Sequence, residues 1–322
     1  MAKIALLSNP KSTGNIAQLP RIREYCAEQP DVFHYEVEEV CQIGCALKTI
    51  ARIEPAILVI NGGDGTVQAA LTEVYNGDHF GGNPPPLAVL PSGKTNLIAL
   101  DLGAEGDPVE ALKRLVDIAR GDVSAHVVAR ELIALTNGDN DDKPVIGMFL
   151  GGAGLADVML YCRNKLYPTG LPNSVCHALT AMAVLAQSAF GVKGKYLPPQ
   201  PEPIDIAMAK QSKLSGRFSL LMVTTLEKLL LSSELEQKGN GALKLIAVEQ
   251  KRFALLRAFA ATLSGKLGRK PMDGLHISDA DEIAIEGGTT PVILDGEMFS
   301  SSKGQPIRLR AANPLCFVKL AA

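Results

Sequence analysis

The sequence predicts an α/β domain built on a doubly wound parallel sheet, followed by an antiparallel β-sandwich domain, and three observations carry that prediction. The unbroken apolar pentamer Ala56-Ile57-Leu58-Val59-Ile60 reads as a strand buried on both faces, and it runs through Asn61-Gly62-Gly63-Asp64-Gly65-Thr66 into a segment of helical apolar spacing. Over the first third of the chain, strand-like and helix-like segments alternate, as they do in doubly wound folds. Beyond about Asp122, short strands and turns take over, with two helical interruptions. The expected domains are therefore residues 1–122 and 123–322, with the last strand able to return to the first domain.

Taken in order, the first expected strand covers 3–7. The loop Ser12-Thr13-Gly14 leads to a helix over 18–28, and a second strand follows over 32–37. A helix is expected over 46–53 and the third strand over 57–60, then the glycine-rich loop and its helix from Val67 to Val74. Pro84-Pro85-Pro86 precedes a fourth strand over 87–90, and Pro91-Ser92-Gly93-Lys94-Thr95 opens a helix over 96–102. Pro108-Val109-Glu110-Ala111 starts another helix that ends near Arg120-Gly121, since proline suits a first helical turn. In the second domain, strands are expected over 123–135 and 145–150, joined through the turn-rich stretch 137–142. Further strands are expected over 203–209, 217–223, 242–248, 282–286, 292–294, 307–309 and 315–320, with helices over 174–190 and 249–267.

The whole-chain properties set bounds. A chain of 322 residues is long enough for two cores, and 47% hydrophobic with 20% charged residues describes an ordinary globular protein. A formal net charge of −2 gives no electrostatic case for a nucleic-acid partner. Ile4-Ala5-Leu6-Leu7 is too short for a secretory core. The most membrane-like stretch, 178–192, is interrupted by Thr180, Gln187 and Ser188 and falls short of a span. Six cysteines without metal-knuckle spacing read as reduced thiols, which favours a cytoplasmic compartment.

The glycine-rich loop is the strongest chemical signal. Glycines let the backbone close on a ligand, and free N–H groups at the positive end of a helix face an anion. Asp64 would repel phosphates unless a divalent cation lies between them, so the loop suggests a metal–nucleotide complex. The plainer alternative is a tight strand–helix turn whose glycines serve packing alone. Asn9-Pro10-Lys11-Ser12-Thr13-Gly14 offers an amide, a cation and hydroxyls where a phosphate would sit, or else an Asn-Pro turn closing a strand. Ser92-Gly93-Lys94-Thr95 is not a complete P-loop, because Ala88 occupies the position of its first glycine. It reads better as a second phosphate-binding loop, with Lys94 and Thr95 near the same nucleotide. Leu294-Asp295-Gly296-Glu297 places two acids around a glycine, one for a substrate hydroxyl and one for a cation, or forms a plain hairpin turn. The five histidines are scattered and receive no role.

In this order the pieces resemble the lipid kinases that include diacylglycerol, sphingosine and ceramide kinases. The resemblance rests on Asn9-Pro10, Gly62-Gly63-Asp64-Gly65-Thr66, the loop with Pro91, Gly93 and Asn96, the turn Gly151-Gly152-Ala153-Gly154, and Asp295-Gly296-Glu297. It implies ATP on the Gly62–Thr66 loop, with Asn9, Lys11, Ser92, Gly93, Lys94, Thr95 and Asn96 around it, and Mg²⁺ near Asp64. It also implies Asp295 as the base for the lipid hydroxyl, with Asp64 as its rival, and Glu297 supporting the metal. The acceptor so implied is diacylglycerol-like, with ceramide or a sphingoid base as an alternative. An NAD kinase-like enzyme shares the Gly-Gly-Asp-Gly-Thr element, and an inactive nucleotide- or lipid-binding regulator is the non-enzymatic alternative.

The expected partners are a lipid substrate and the inner face of a membrane, contacted peripherally, with a homodimer also open. Three departures stand out: Leu97 where many relatives carry aspartate, Lys94 in place of a small residue, and Asn240-Gly241-Ala242-Leu243-Lys244 where an acidic segment often binds a structural magnesium. No structural metal is expected at the last. The helix over 249–267 mixes Phe253, Leu255, Leu256, Phe259 and Leu263 with the cations Lys251, Arg252, Arg257, Lys266, Arg269 and Lys270 around them. It would serve as an interfacial helix or, as more often happens, pack on a sheet with its cations in water; the second is expected here.

Overall fold

The computed structural model describes residues 3–93, 95–137, 143–169, 173–191, 194, 197–209, 213–227, 241–287, 291–300 and 305–320. The chain forms two compact units. The first comprises Met1–Ala134, Lys143–Met148 and Ala312–Ala322, and the second Leu135–Asp142 and Phe149–Ala311.

The first unit carries β1 (Ile4–Ser8), α1 (Asn15–Glu28), β2 (Val32–Glu36), α2 (Ile43–Ala51), β3 (Ile57–Asn61) and α3 (Asp64–Asn76). It continues through β4 (Leu87–Val89), α4 (Leu97–Asp101), α5 (Pro108–Arg120), most of β5 (Val127–Thr136) and β6 (Val145–Gly147). The strands pair in parallel in the order β2–β1–β3–β4. Every residue of β1 and β3 is buried, as expected of central strands covered on both faces. Ile4, Leu6, Ile57 and Val59 pack with Leu19 and Ile22 of α1 and Leu112 and Leu115 of α5. The alternate residues of both strands point to the opposite face. Asp107 caps α5 by accepting from the Val109 N–H at 2.8 Å, and Pro108 begins it. Helix α4 is anchored by a buried ion pair between Asp101 and Arg130 on β5, at 3.2 Å.

The second unit carries β7 (Phe149–Gly152), α6 (Gly154–Tyr161), α7 (Asn173–Phe190), β8 (Pro203–Met208), β9 (Leu214–Thr224) and β10 (Leu243–Glu249). After these come α8 (Ala254–Leu263), β11 (Leu275–Ala280), β12 (Glu282–Glu286), β13 (Val292–Leu294), β14 (Glu297–Phe299) and the first part of β15 (Ile307–Val318), whose residues from Ala312 on belong to the first unit. Its strand pairs are antiparallel: β9 with β7, β8 and β10, β10 with β11, β13 with β7 and β14, and β12 with β8 and β15. Its interior is filled by residues such as Leu150, Phe218, Leu221, Val223, Leu245 and Leu294.

The architecture is the one expected, an α/β unit of parallel strands and a unit of antiparallel strands, but several elements differ. The strands expected over 307–309 and 315–320 are one strand, β15. Asn313-Pro314 reads as a break in sequence, yet these residues fall between Arg310, which pairs with β12, and Phe317, which pairs in parallel with Leu87 of β4. Proline is tolerated where no ladder hydrogen bond is needed from it. The helix expected over 249–267 shrinks to α8, because Glu249 still pairs in β10 and Gly265 turns with φ +63°. The strand expected from Val123 begins only at Val127, after a single tight helical turn over Ser124–His126. Helix α6 and strands β11 and β14 are additional. The 138–142 part of the expected turn and Asn240 lie outside the described residues.

Candidate functional site

In a sheet of order β2–β1–β3–β4, connections leave in opposite directions on the two sides of the β1/β3 boundary, and a crevice opens at their carboxyl ends. The loop after β1 (Asn9 to Gly14) and the loop after β3 (Gly62 and Gly63) leave from that boundary. Asn15, fully buried at the start of α1, donates from Nδ2 to the carbonyls of Asn9 (2.8 Å) and Asn61 (3.1 Å). The Asn9 N–H also donates to the Asn61 carbonyl at 2.9 Å. Asn9 Nδ2 then reaches Thr66 Oγ1 in the first turn of α3 at 2.9 Å, and Asn9 Oδ1 accepts from the Lys11 N–H.

The loop after β4 joins this pair. Ser12 Oγ donates to the Ser92 carbonyl at 3.2 Å. A Cβ on Gly14 would lie 2.1 Å from the same carbonyl oxygen, so only glycine allows the first loop to pass there. A Cβ on Gly93 would lie 3.3 Å from Gly63 Cα and 3.5 Å from the Asp64 nitrogen. Asn96 takes the left-handed conformation (φ +55°), which asparagine tolerates, and its Oδ1 accepts from the Gly93 N–H at 2.6 Å. Asn9, Gly62, Gly63, Asp64, Gly65, Thr66, Ser92, Gly93, Thr95 and Asn96 thus gather at one end of the parallel sheet.

The local electrostatics suit an anion with a cation beside it. Helix α3 starts at Gly63 with no side-chain cap, so the N–H groups of its first turn point out of the helix without a side-chain acceptor. Burial pushes the Asp64 carboxyl above the usual carboxylate range, partly offset by hydrogen bonds from the Asn96 N–H and the Thr95 hydroxyl. Asn15 Oδ1, Asn61 Oδ1 and Ser92 Oγ are buried without a hydrogen-bond partner. Such groups in a native fold call for an explanation, and a bound polar ligand or ordered water supplies one.

A divalent cation fits on narrow terms. No cluster of three His, Cys, Asp or Glu side chains suited to a metal occurs among the described residues. A carboxylate has about four lone-pair positions. Two of those on Asp64 are engaged, and a magnesium ion commonly needs only one or two carboxylates when phosphates supply the rest.

The remaining expected residues are distributed differently. Lys11 extends to Glu38 at 3.3 Å, both side chains exposed. Lys94 lies outside the described residues. Asp295 and Glu297 belong to the second unit, where Asp295-Gly296 forms the two-residue turn between β13 and β14. Both turn residues have positive φ, +44° and +90°, as a type I′ turn demands. Asp295 is 6% exposed and clamped to the start of β7: its N–H donates to the Phe149 carbonyl at 2.9 Å, and its Oδ1 accepts from the Phe149 N–H at 3.0 Å. The hairpin reading of the sequence is therefore realised, with the acid held in a fixed orientation.

Sequence reasoning missed the supports behind the loops. Ser8 Oγ accepts from Asn61 Nδ2 at 2.9 Å and meets His34 Nε2 at 2.8 Å. Burial holds His34 below the ordinary histidine range. Asn15 follows Gly14 directly, and a buried amide at a helix start was the available signal. The second unit also has a cavity of about 390 Å³ beside α6 and α7, lined by Val158, Val184, Gln187, Phe190, Ser219 and Arg252 among others.

The model of the diacylglycerol kinase catalytic domain matches residues 3–127, which hold all three loops. Solved structures share the fold over nearly the whole chain. One, described as "a putative diacylglycerol kinase from Bacillus anthracis str. Sterne", is 18% identical with a TM-score of 0.66, over 98% of this chain and 96% of that one. A second from the same organism, described as a diacylglycerol kinase, is 16% identical with a TM-score of 0.61, over 98% and 96%. No curated protein matches the chain significantly.

Proposed function

We propose, taking residues 3–127 as a diacylglycerol kinase catalytic domain and the chain as a lipid kinase, that it transfers the γ-phosphate of ATP to a hydroxyl of a diacylglycerol-like lipid. The observation that carries this reading is the meeting of three loops at the β1/β3 boundary inside the matched span, with an uncapped helix start and one carboxylate. That is the equipment for phosphates accompanied by a cation.

In this reading the N–H groups of Gly63, Asp64 and Gly65 and the dipole of α3 hold phosphate oxygens. Asn9, Thr66, Ser92, Gly93, Thr95 and Asn96 frame the nucleotide, and Lys11 and Lys94 add positive charge. Asp64 would hold Mg²⁺, which supplies charge neutralisation to the transferring phosphoryl group. Asp295 takes the proton of the acceptor hydroxyl. The oxygen so freed attacks the γ-phosphorus as the bond to the β–γ bridging oxygen breaks, leaving ADP. The fixed orientation of Asp295 supports this role, since alignment is most of what phosphoryl transfer requires.

The test is incubation with γ-labelled ATP and a panel of dispersed diacylglycerol, ceramide, sphingoid base and, separately, NAD. Label in the diacylglycerol product is expected. Label in NAD alone would overturn the lipid assignment, and nucleotide binding without transfer to anything would leave a regulator. Asp295→Asn keeps the acceptor for the Phe149 N–H and the turn preference, so it should fold while losing transfer. Full transfer by that variant would remove the base from Asp295.

A further inference from the structure

Helix α8 carries apolar side chains on two faces, one inward and one outward. A helix lying on a sheet ordinarily turns its large apolar side chains inward. Here Ala254 and Ala258 are buried against Val248 of β10, and Leu255 is half-buried against the same cluster. The large side chains Phe253, Leu256, Phe259 and Leu263 face outward, with Leu263 62% exposed. The expectation that this helix packs on a sheet with its cations in water therefore holds, and a second apolar face is left outward. Helix α7, tied to it by a hydrogen bond from Arg252 Nε to the Ala189 carbonyl at 3.1 Å, exposes Leu179, Met182 and Phe190. Exposed apolar clusters of this kind mark an interaction surface.

Charge identifies the partner. Residues 158–201 and 250–272 together contain ten lysines and arginines and no aspartate or glutamate, in a chain whose formal net charge is −2. The acids that bound the second stretch, Glu249 and Asp273, are both taken up by Lys251, at 2.9 and 2.8 Å. Among the described residues, no carboxylate forms an ion pair with Arg257, Lys266, Arg269 or Lys270, all of them exposed. An outward apolar stripe flanked by exposed cations that form no ion pair among the described residues matches an anionic bilayer: the stripe enters the acyl boundary and the cations meet headgroup phosphates. A second copy of the chain fits less well, because a self-complementary dimer would bring like charges together. No helix among the described residues is long and apolar enough to cross a membrane, so contact through this helix lies in the interface plane.

We propose that α8, flanked by α7, is the surface by which this chain docks on anionic membranes. The proposal rests on the lipid-kinase reading only for its purpose: a lipid acceptor is reached from the bilayer, and Phe190 and Arg252 also line the second unit's cavity.

The test is co-sedimentation of the full chain with vesicles of phosphatidylcholine alone and of phosphatidylcholine with phosphatidylglycerol, without ATP, so that failure of catalysis cannot mask the result. Strong, salt-sensitive binding to the anionic vesicles is expected. The triple variant Lys266→Gln, Arg269→Gln, Lys270→Gln should lose about fivefold in partitioning per cation, on the order of 100-fold together. Phe259→Ser with Leu263→Ser should lose at least about tenfold. Both variants should keep the parent's nucleotide-induced thermal shift, which excludes misfolding. Equal binding to the two vesicle types, or parental binding by the triple variant, would overturn the proposal. So would a Phe259→Ser, Leu263→Ser chain that passes from dimer to monomer in sedimentation while vesicle binding is unchanged.

Discussion

Gly63→Ala separates the two readings of the glycine-rich loop. Gly63 has φ −78° and ψ 174°, a conformation alanine adopts without strain. The nearest atom to the new Cβ is Ser12 Oγ at 3.2 Å, the end of a side chain that can rotate. Alanine at a helix cap costs under about 1 kcal/mol relative to glycine, and the stiffer unfolded chain returns about 0.4–1 kcal/mol. Folding stability should therefore stay within about 1 kcal/mol of the parent, or a few degrees in Tm.

The ligand feels the methyl group differently. Displacing phosphate from the helix start loses about two charge-assisted hydrogen bonds at about 1.5 kcal/mol each, a fall in affinity on the order of 100-fold. At a nucleotide concentration near 100 Kd of the parent, binding stabilises the parent by about 2.7 kcal/mol. The variant would then sit near its own Kd and gain only RT ln 2, about 0.4 kcal/mol. Thermal unfolding with and without ATP and magnesium reads this directly. Gly14→Ala is the contrast, because its Cβ meets the Ser92 backbone and should damage stability and binding together. A Gly63→Ala chain with the parental nucleotide shift would show that these glycines serve the turn alone.

Asp64→Asn should abolish transfer yet raise stability at neutral pH. The buried carboxyl is raised in the fold, so the folded state binds its proton more tightly and loses stability as pH rises through that raised value. Urea unfolding across pH should show the variant's advantage growing in that window, and a destabilised variant at neutral pH would contradict it. His34 runs the other way. Its folded value is depressed by burial, so stability is full above about 6.5, the ordinary histidine value, and falls as pH drops toward the depressed one. His34→Gln should flatten that acid limb of the unfolding profile. Arg130→Met removes the ion-pair partner of the buried Asp101 side chain, and should cost about 3–5 kcal/mol in chemical denaturation.

The parallel half of the fold was legible because its signals are local and agree with one another. An apolar pentamer, a glycine loop and a helical repeat fall in register at β3 and α3, and Asp107-Pro108 announces α5 by cap and proline together. The antiparallel half was less so. Asn313-Pro314 carries a turn signal that pairing overrode, and β11 (Leu-His-Ile-Ser-Asp-Ala) pairs along its length with β10 despite its polar positions. Helix α6 escaped notice because it starts behind Ala153, held at φ +51°, a conformation that sequence does not advertise. At the site, loop residues were readable from glycine spacing. The buried amides of Asn15 and Asn61 were not, because their roles depend on which strand ends lie side by side. The outward apolar face of α8 was invisible for the same reason, since hydrophobic periodicity says a helix has apolar positions but not which of them turn inward.

The most direct measurement is mass spectrometry of lipids recovered after incubation with ATP carrying ¹⁸O in its γ-phosphate, comparing the parent with Asp64→Asn. Appearance of ¹⁸O-labelled phosphorylated diacylglycerol with the parent, and its loss with the variant, is the expected result. Unlabelled lipids from a parent that demonstrably binds ATP and magnesium would contradict the account.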